Sequence, residues 1–362
     1  MANSRVSARK DTGQPALSRI LVILGAGASK TLGASEDLPL MGQWATLLHE
    51  SINEAVPGIA DVIGLHEAME GPEFEQALGD FLKWRQAFPL NRQFQLFGCP
   101  DPARRTVDNR ESDWLQNNET RGGQVIEAIR TSLFQTYGNY VLDPGKCEKA
   151  YKALIGSIGS ASLAFATTNY DRAVEIALER CGYASIHEGF VRRTHQDTPR
   201  FDPKDFGDWT SCDSAHTTLL HLHGAVGWYL KDDQVFDFLG DRPYNSALGD
   251  PVFLPPDPFK DPLNDASVGG IWNAFDRFLE NATRVLVLGH SLHDPVLVNR
   301  LVTASRDKEV LIAGLDPPDA LPGNSVFRLL EFSPTLGSVP WLRDWVETGN
   351  AGVASEQLRA GH

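Results

Sequence analysis

Short apolar runs recur along the chain at Leu21–Leu24, Ser162–Ala166, Thr218–Leu222, Arg284–Leu288 and Glu309–Ala313. They lack the polar alternation of a half-exposed strand, so each predicts a strand buried on both faces. Several end in Gly, Asn or Asp, residues that turn a chain. Between them, Asp171–Arg180, Ile271–Asn281 and Val296–Ala304 read as helices. Strand and helix in alternation predict an α/β fold built on a doubly wound, mostly parallel, Rossmann-like sheet. Such sheets bind ligands beyond the carboxyl ends of their strands. The residues just after each run are therefore where chemistry is to be sought.

One interval is too long for this scheme. Residues 41–157 separate the first two strands and carry helical periodicity in Glu73–Phe88 and Gly122–Tyr137. A crossover needs only about 10–12 residues, so the interval predicts a large inserted helical module. Packing, a lid and an assembly surface are its candidate roles. The Pro- and Asp-rich stretch Asp232–Pro262 predicts loop with short strands. The polar residues 1–18 read as a mobile lead-in without the apolar core of a secretory signal. Residues 19–345 then form the domain, and 346–362 a tail.

Composition narrows the function classes. A net charge of −14 over 362 residues argues against direct nucleic-acid binding, which rewards basic patches. No apolar run approaches the ~20 residues of a membrane span. Cys99, Cys147, Cys181 and Cys212 lie far apart with no C-x-x-C pair. That spacing predicts no zinc ribbon, no disulfide framework and a reducing, cytoplasmic setting.

The first strand runs into Gly25-Ala26-Gly27-Ala28-Ser29. Glycines there allow a sharp turn and close backbone approach, and an anion can sit where the next helix begins. A dinucleotide fingerprint needs a third glycine where Lys30 stands, and a P-loop needs Gly before Lys-Thr where Ser29 stands. A tight turn without a ligand is the alternative. After the second strand come Thr167, Thr168, Asn169 and Asp171, which read equally as site residues or as helix caps. After the third comes His223-Gly224, a catalytic or a structural histidine. By period two His221 shares a face with His223, which would allow a metal pair if a third ligand were near. After the fourth strand, Gly289-His290-Ser291 imitates a nucleophile elbow, but His293 occupies the position that requires Gly. The serine-hydrolase order also needs a later histidine, and only His362 follows.

Taken in order, Gly25–Ser29, Thr167–Asp171, Leu222–Gly224 and Gly289–Asp294 resemble the sirtuin superfamily, more narrowly the sirtuin-like NAD-hydrolase branch of bacterial anti-phage defence. The resemblance implies NAD as the ligand and substrate. It implies that Gly25, Ala26, Gly27 and Ser29 face the pyrophosphate, with Thr168 also on the cofactor side, and that Gly289 and Ser291 contact phosphate or ribose. Asp316 would take a ribose. Asn169 would orient the nicotinamide-side ribose or a water, Asp171 would hold the carboxamide, and His223 would act as general base. Deacylating sirtuins carry a four-cysteine zinc module after the His-Gly pair, whereas Gly224 to Pro262 contains no cysteine. A Gly-Ile-Pro-Asp-Phe-Arg run and a Phe-Gly-Glu element of those enzymes also have no counterpart.

The expected function is therefore hydrolysis of NAD+ to nicotinamide and ADP-ribose, without a metal and with water as acceptor. The resemblance further implies an abortive-infection effector gated by assembly: a homo-oligomer, with a HerA-class ATPase as a possible partner. A protein deacylase or ADP-ribosyltransferase and a non-catalytic NAD-sensing subunit are the alternatives.

Overall fold

The protein is described by a computed structural model. It covers residues 18–31, 41–55, 57–62, 119–138, 140–158, 161–192, 198–238, 248–253, 268–314 and 325–329, with shorter pieces at 64–66, 69, 73–74, 76–81, 342 and 345–346. Seven strands form one wholly parallel sheet: β1 (Arg19–Leu24), β2 (Ser162–Thr167), β3 (Ser185–His187), β6 (His216–His221), β10 (Arg284–Leu288), β11 (Glu309–Gly314) and β12 (Val326–Leu329). Their order is β12-β11-β10-β1-β2-β6-β3. From β1 the chain winds first towards β2 and β6, then returns to β10 on its other side. The order thus reverses between β1 and β10, where an α/β sheet opens a crevice at its carboxyl edge.

The five apolar runs are five of these strands, and the reason is burial on both faces. Leu21, Ile23, Ala166, Leu220, Val285 and Val287 point into one core, against Trp272, Phe275 and Phe278 of α7 (Gly269–Asn281). The alternate residues Ile20, Val22, Phe165, Leu219, Leu286 and Leu288 point into the other. There they meet Tyr151, Leu154 and Ile158 of α5 (Pro144–Ile158) and Val174 and Leu178 of α6 (Ala173–Arg180). The predicted helix at 296–304 is α8 (Pro295–Ala304), with Pro at its start and Asp294 as its N-cap.

The long interval divides in two. Helix α5 lies on the sheet as an ordinary crossover helix. A separate core joins Trp44, Leu48 and Ile52 of α2 (Met41–Ala55), Ala60 of α3 (Ile59–Val62), Phe74 and Leu78, and Val125 and Ile129 of α4 (Glu119–Leu133). Tyr170, just past β2, completes that core and ties the helical module to the sheet edge. Helix α4 continues as a π-helical turn over Phe134–Gly138. The module is helical where described, and the remainder of the predicted Glu73–Phe88 helix lies outside the described residues beyond 81. At the far end, Trp345 is buried against the sheet and the Val346 carbonyl accepts a hydrogen bond from Arg284, so packing extends into the expected tail.

A second sheet was not legible in the apolar runs. It is antiparallel, in the order β4-β5-β8-β7-β9: β4 (Phe190–Val191), β5 (Arg200–Phe201), β7 (Gly224–Lys231), β8 (Gln234–Asp237) and β9 (Asp250–Phe253). Two of its strands are two residues long, and the β7–β9 ladder is irregular between Gly224 and Tyr229, so no hydrophobic period develops. Among the described residues no helix is long and apolar enough to cross a membrane.

At the crevice the turns after β1 and β10 are in backbone contact. The Gly25 amide donates to the Leu288 carbonyl at 2.9 Å, and the Gly27 amide to the Gly289 carbonyl at 3.0 Å. A Cβ on Gly25 would sit 2.6 Å from the Gly289 oxygen, and one on Gly27 2.8 Å from it. Gly289 has φ +57°, and a Cβ there would fall 2.0 Å from the Ala28 nitrogen. That contact is backbone, so it cannot be relieved by a rotamer change. Gly289→Ala should therefore destabilise the fold by about 3 kcal/mol or more, measured by urea denaturation. A loss below about 1 kcal/mol would show that the two turns can separate without consequence for the fold.

Candidate functional site

The site is built on the ends of β1, β2, β6 and β10. Beyond β2 the chain is held down by its neighbours: Thr168 N–H donates to the Leu24 carbonyl at 3.1 Å, and Asn169 N–H to the Thr167 hydroxyl at 3.0 Å. The Asn169 amide group then reaches back to the Gly25 carbonyl at 3.3 Å and the Ser29 hydroxyl at 3.2 Å. Asn169 is 5% exposed, and its side-chain oxygen has no hydrogen-bond partner. An orphaned buried acceptor is unfavourable by about 1–3 kcal/mol, which makes it a ready point of attachment for a hydroxyl or a water.

Ser29 is buried and lies 3.2 Å from the Tyr151 hydroxyl as well. Its place is between Asn169 and α5. The amides of Gly25 and Gly27 are committed to the neighbouring turn. These glycines allow the two loops to approach. Helix α1 (Ala26–Thr31) follows at once.

Asp171 is the most strained of the expected site residues electrostatically. Its carboxylate accepts from the Ala173 N–H at 2.9 Å, one residue before the N-cap position, which Arg172 occupies without a side-chain cap. Burial nevertheless pushes its carboxyl up to about 6; the Ala173 bond opposes this, Glu175 adds to it and His221 offsets part. Asp171 in turn adds to the burial that raises the Tyr137, Tyr151 and Cys147 groups, the thiol to about 11. These residues belong to the π-helical turn and α5, both within the long interval between β1 and β2.

His223 follows a turn, not a strand. Strand β6 ends at His221, the Leu222 amide donates to the Thr167 carbonyl, and the Leu222 carbonyl accepts from the Trp272 indole at 2.8 Å. Gly224 at φ +79° then leads into β7. Because the strand ends at His221, the period of two does not carry on to His223, and among the described residues the group with metal-ligand spacing contains His221 but not His223. The His223 Nε2 lies 3.0 Å from Asp294 Oδ2, both largely buried, while Asp294 Oδ1 accepts from the Val296 and Leu297 amides of α8. The His223 ring stands 6.3 Å from Tyr170, itself 5.6 Å from Tyr137. Asp294 ends the Gly289–Asp294 segment, and its capping position gives no hint of a partner 71 residues away.

His221 instead joins a buried charged group. Its Nε2 lies 3.0 Å from Glu175 and 3.9 Å from Glu188. Arg172 binds Glu175 at 3.0 Å and Asp237 at 3.2 Å and approaches Glu188 to 4.0 Å. Burial opposes ionisation of Glu175, but His221 and Arg172 outweigh it and hold the carboxyl at about 2. Burial and the Glu175 charge push Glu188 up to about 8.

The loop from Gly289 to Asp294 contains Leu292 at φ +59°, an uncommon conformation for a side chain branched at Cγ. Ser291 is exposed beside it, and the Leu292 amide donates to His290 Nδ1 at 2.9 Å. Asp316 lies outside the described residues. The structure therefore brings Asn169, Ser29, Asp171 and His223 to adjacent strand ends, with Gly289 and Ser291 across the β1–β10 crevice.

Residues 163–314 match the family model described as a SIR2-like domain. Within those residues the chain is similar to a SIR2-like domain, and three of the four segments fall inside the match. That match contains Asn169, Asp171, His223 and the Gly289–Asp294 loop and begins after the glycine turn. Among solved structures, the chain is similar to one described as the structural basis for the mechanism and regulation of Sir2 enzymes, at 13% identity, 92% coverage of this chain and 94% of that chain, with a TM-score of 0.41. A Sir2–p53 peptide–NAD+ structure is similar at 12% identity, with the same coverages and a TM-score of 0.37. Comparison with curated proteins yields no match.

The raised Asp171 carboxyl has a measurable consequence. In the unfolded chain it ionises near 4, in the fold only near 6. Between those values the folded state holds the extra proton, so its stability falls as pH rises through the window, by up to about 3 kcal/mol once both states are ionised. Asp171→Asn keeps an acceptor for Ala173 and removes this loss. Its Tm should exceed that of wild type at neutral pH, and the difference should shrink towards about pH 4. Thermal melts across that range test it; a variant less stable than wild type at neutral pH contradicts the assignment.

Proposed function

We propose that the chain is an NAD+ glycohydrolase, cleaving NAD+ to nicotinamide and ADP-ribose. The observation that carries this reading is the pairing, at neighbouring strand ends of a SIR2-like domain, of an orphaned buried Asn169 oxygen with a carboxylate-held His223. Leaving nicotinamide takes the bond electrons and departs neutral, so it needs no acid. The developing positive charge falls on the ribose, and the enzyme must hold the ring, place a water and accept its proton.

In the proposed arrangement the Asn169 oxygen accepts from a ribose hydroxyl or the attacking water. Asp171 accepts from the carboxamide under the cover of Tyr137 and Tyr151. His223, held by Asp294, takes the proton as water oxygen bonds to the ribose carbon. Gly25, Ala26, Gly27, Ser29, Thr168, Gly289 and Ser291 would border the pyrophosphate and its ribose, and Asp316 the second ribose. An open hydrolase of this kind endangers its own cell, so we place it in the cytoplasm as a defence effector, held inactive until a homo-oligomer or a HerA-class ATPase complex forms.

His223→Ala and Asn169→Ala should each lower nicotinamide release by about 10²-fold or more, with calorimetric NAD+ affinity largely kept. Full activity in both variants would place the reaction elsewhere. Release only in the presence of an acyl-lysine peptide would favour the deacylase, and NAD+ binding without release in every assembly state the sensor. Asp294→Asn preserves the α8 cap while removing the charge that holds His223. It should reduce turnover at least tenfold with binding intact, the mark of an orienting group; an unchanged turnover would make the contact purely structural.

A further inference from the structure

The charged group behind His223 holds polar atoms that the protein itself does not serve. Among the described residues, Glu175 Oε2, Glu188 Oε1 and both ring nitrogens of His221 are buried without a hydrogen-bond partner. His221 is fully buried and Glu175 4% exposed. The His221 Nε2 is 3.0 Å from Glu175 Oε1 but is not aligned to donate to it. Unserved atoms of this density are rare in a protein interior. Here they converge, because one ligand atom from each of Glu175, Glu188 and His221 falls within 4.8 Å of the others.

We propose that Glu175, Glu188 and His221 form a binding site for one divalent cation of the zinc or manganese class. An imidazole with two carboxylates is a donor set those ions accept. Ligand atoms bound at about 2.1 Å stand roughly 3–3.5 Å apart, so the three need to draw together by about 1 Å. Charge favours the ion as well. In the deprotonated form that metal binding requires, Glu175, Glu188 and Asp237 carry two negative charges beyond the Arg172 guanidinium they surround, with His221 neutral. A divalent ion balances them. The Arg172 guanidinium occupies Glu175 Oε1 and Asp237, leaving Glu175 Oε2 for the metal. Glu188, partly exposed, provides the entry path and room for a water ligand.

The three ligands come from the first turn of α6, from the link between β3 and β4, and from the last residue of β6. An ion would clamp these elements together two residues before His223. Its role is to hold the strand end in place, and it takes no part in the bond cleavage proposed above. The alternative occupant is two protons, one on His221 and one on Glu188, with a buried water.

The test uses the full chain without an affinity tag. Metal content after purification is measured by mass spectrometry; the protein is then stripped with chelator and titrated with zinc or manganese alone. About one equivalent per chain is expected, with a Tm increase of about 5 °C on saturation. Glu188→Gln should abolish both while keeping near-native circular dichroism, and His216→Gln, on the surface, should change neither. If stripped wild-type protein takes up neither metal and melts unchanged, the proton-and-water occupant is correct. Uptake by Glu188→Gln at wild-type affinity overturns the site equally, and neither readout depends on NAD+ turnover.

Discussion

How closely two backbone turns can approach decides the geometry of everything at the carboxyl edge of this sheet. The turns after β1 and β10 meet at the reversal of strand order, where the Gly27 amide donates to the Gly289 carbonyl at 3.0 Å. Side chains on either turn would hold them apart by more than a hydrogen bond can span. The glycines act on the protein itself, by letting the two turns touch. With the Gly289 backbone in the left-handed region and Leu292 following in the same region, the loop swings back towards the sheet. It ends on Asp294, which caps α8 with one oxygen and holds His223 with the other. Backbone strain in one loop thus fixes a side chain just past a strand three places away in the sheet, the kind of site where such strain is retained.

Which parts of this were legible in the sequence follows from what each residue buries. Strands β1, β2, β6, β10 and β11 are apolar throughout because both faces are covered, and that writes an unbroken run into the chain. Strand β12 and the antiparallel sheet left no such trace; their strands are short, and Gly224 to Tyr229 interrupts the pairing. The site residues were legible as types at strand ends, but not as contacts. Asn169 finds Ser29 across 140 positions and His223 finds Asp294 across 71. A period of two made His221 and His223 partners only as long as the strand was assumed to continue. It stops at His221, and the two imidazoles turn to different carboxylates. Glu188 could not be grouped with Glu175 and His221 at all, since only the sheet order brings β3 beside β6.

The helical interval gains its meaning from the same accounting of burial. Its own core closes around Trp44, Phe74 and Ile129, yet that core is completed by Tyr170, a residue of the site strand. Tyr137 and Tyr151 come from the same interval and face Asp171 and Ser29. A carboxyl that near-neutral water would ionise is driven to about 6 by this cover. An amide oxygen that water would satisfy is left without a partner. Both effects are unfavourable for the fold, and hydrogen-bond donors brought to these two groups would offset them. Asn169 ties the first glycine turn to the end of β2 and Asp171 holds the start of α6, yet each also carries an unfavourable polar burial. Under the proposed function, a ligand with a carboxamide and ribose hydroxyls would bring a donor to each of these acceptors.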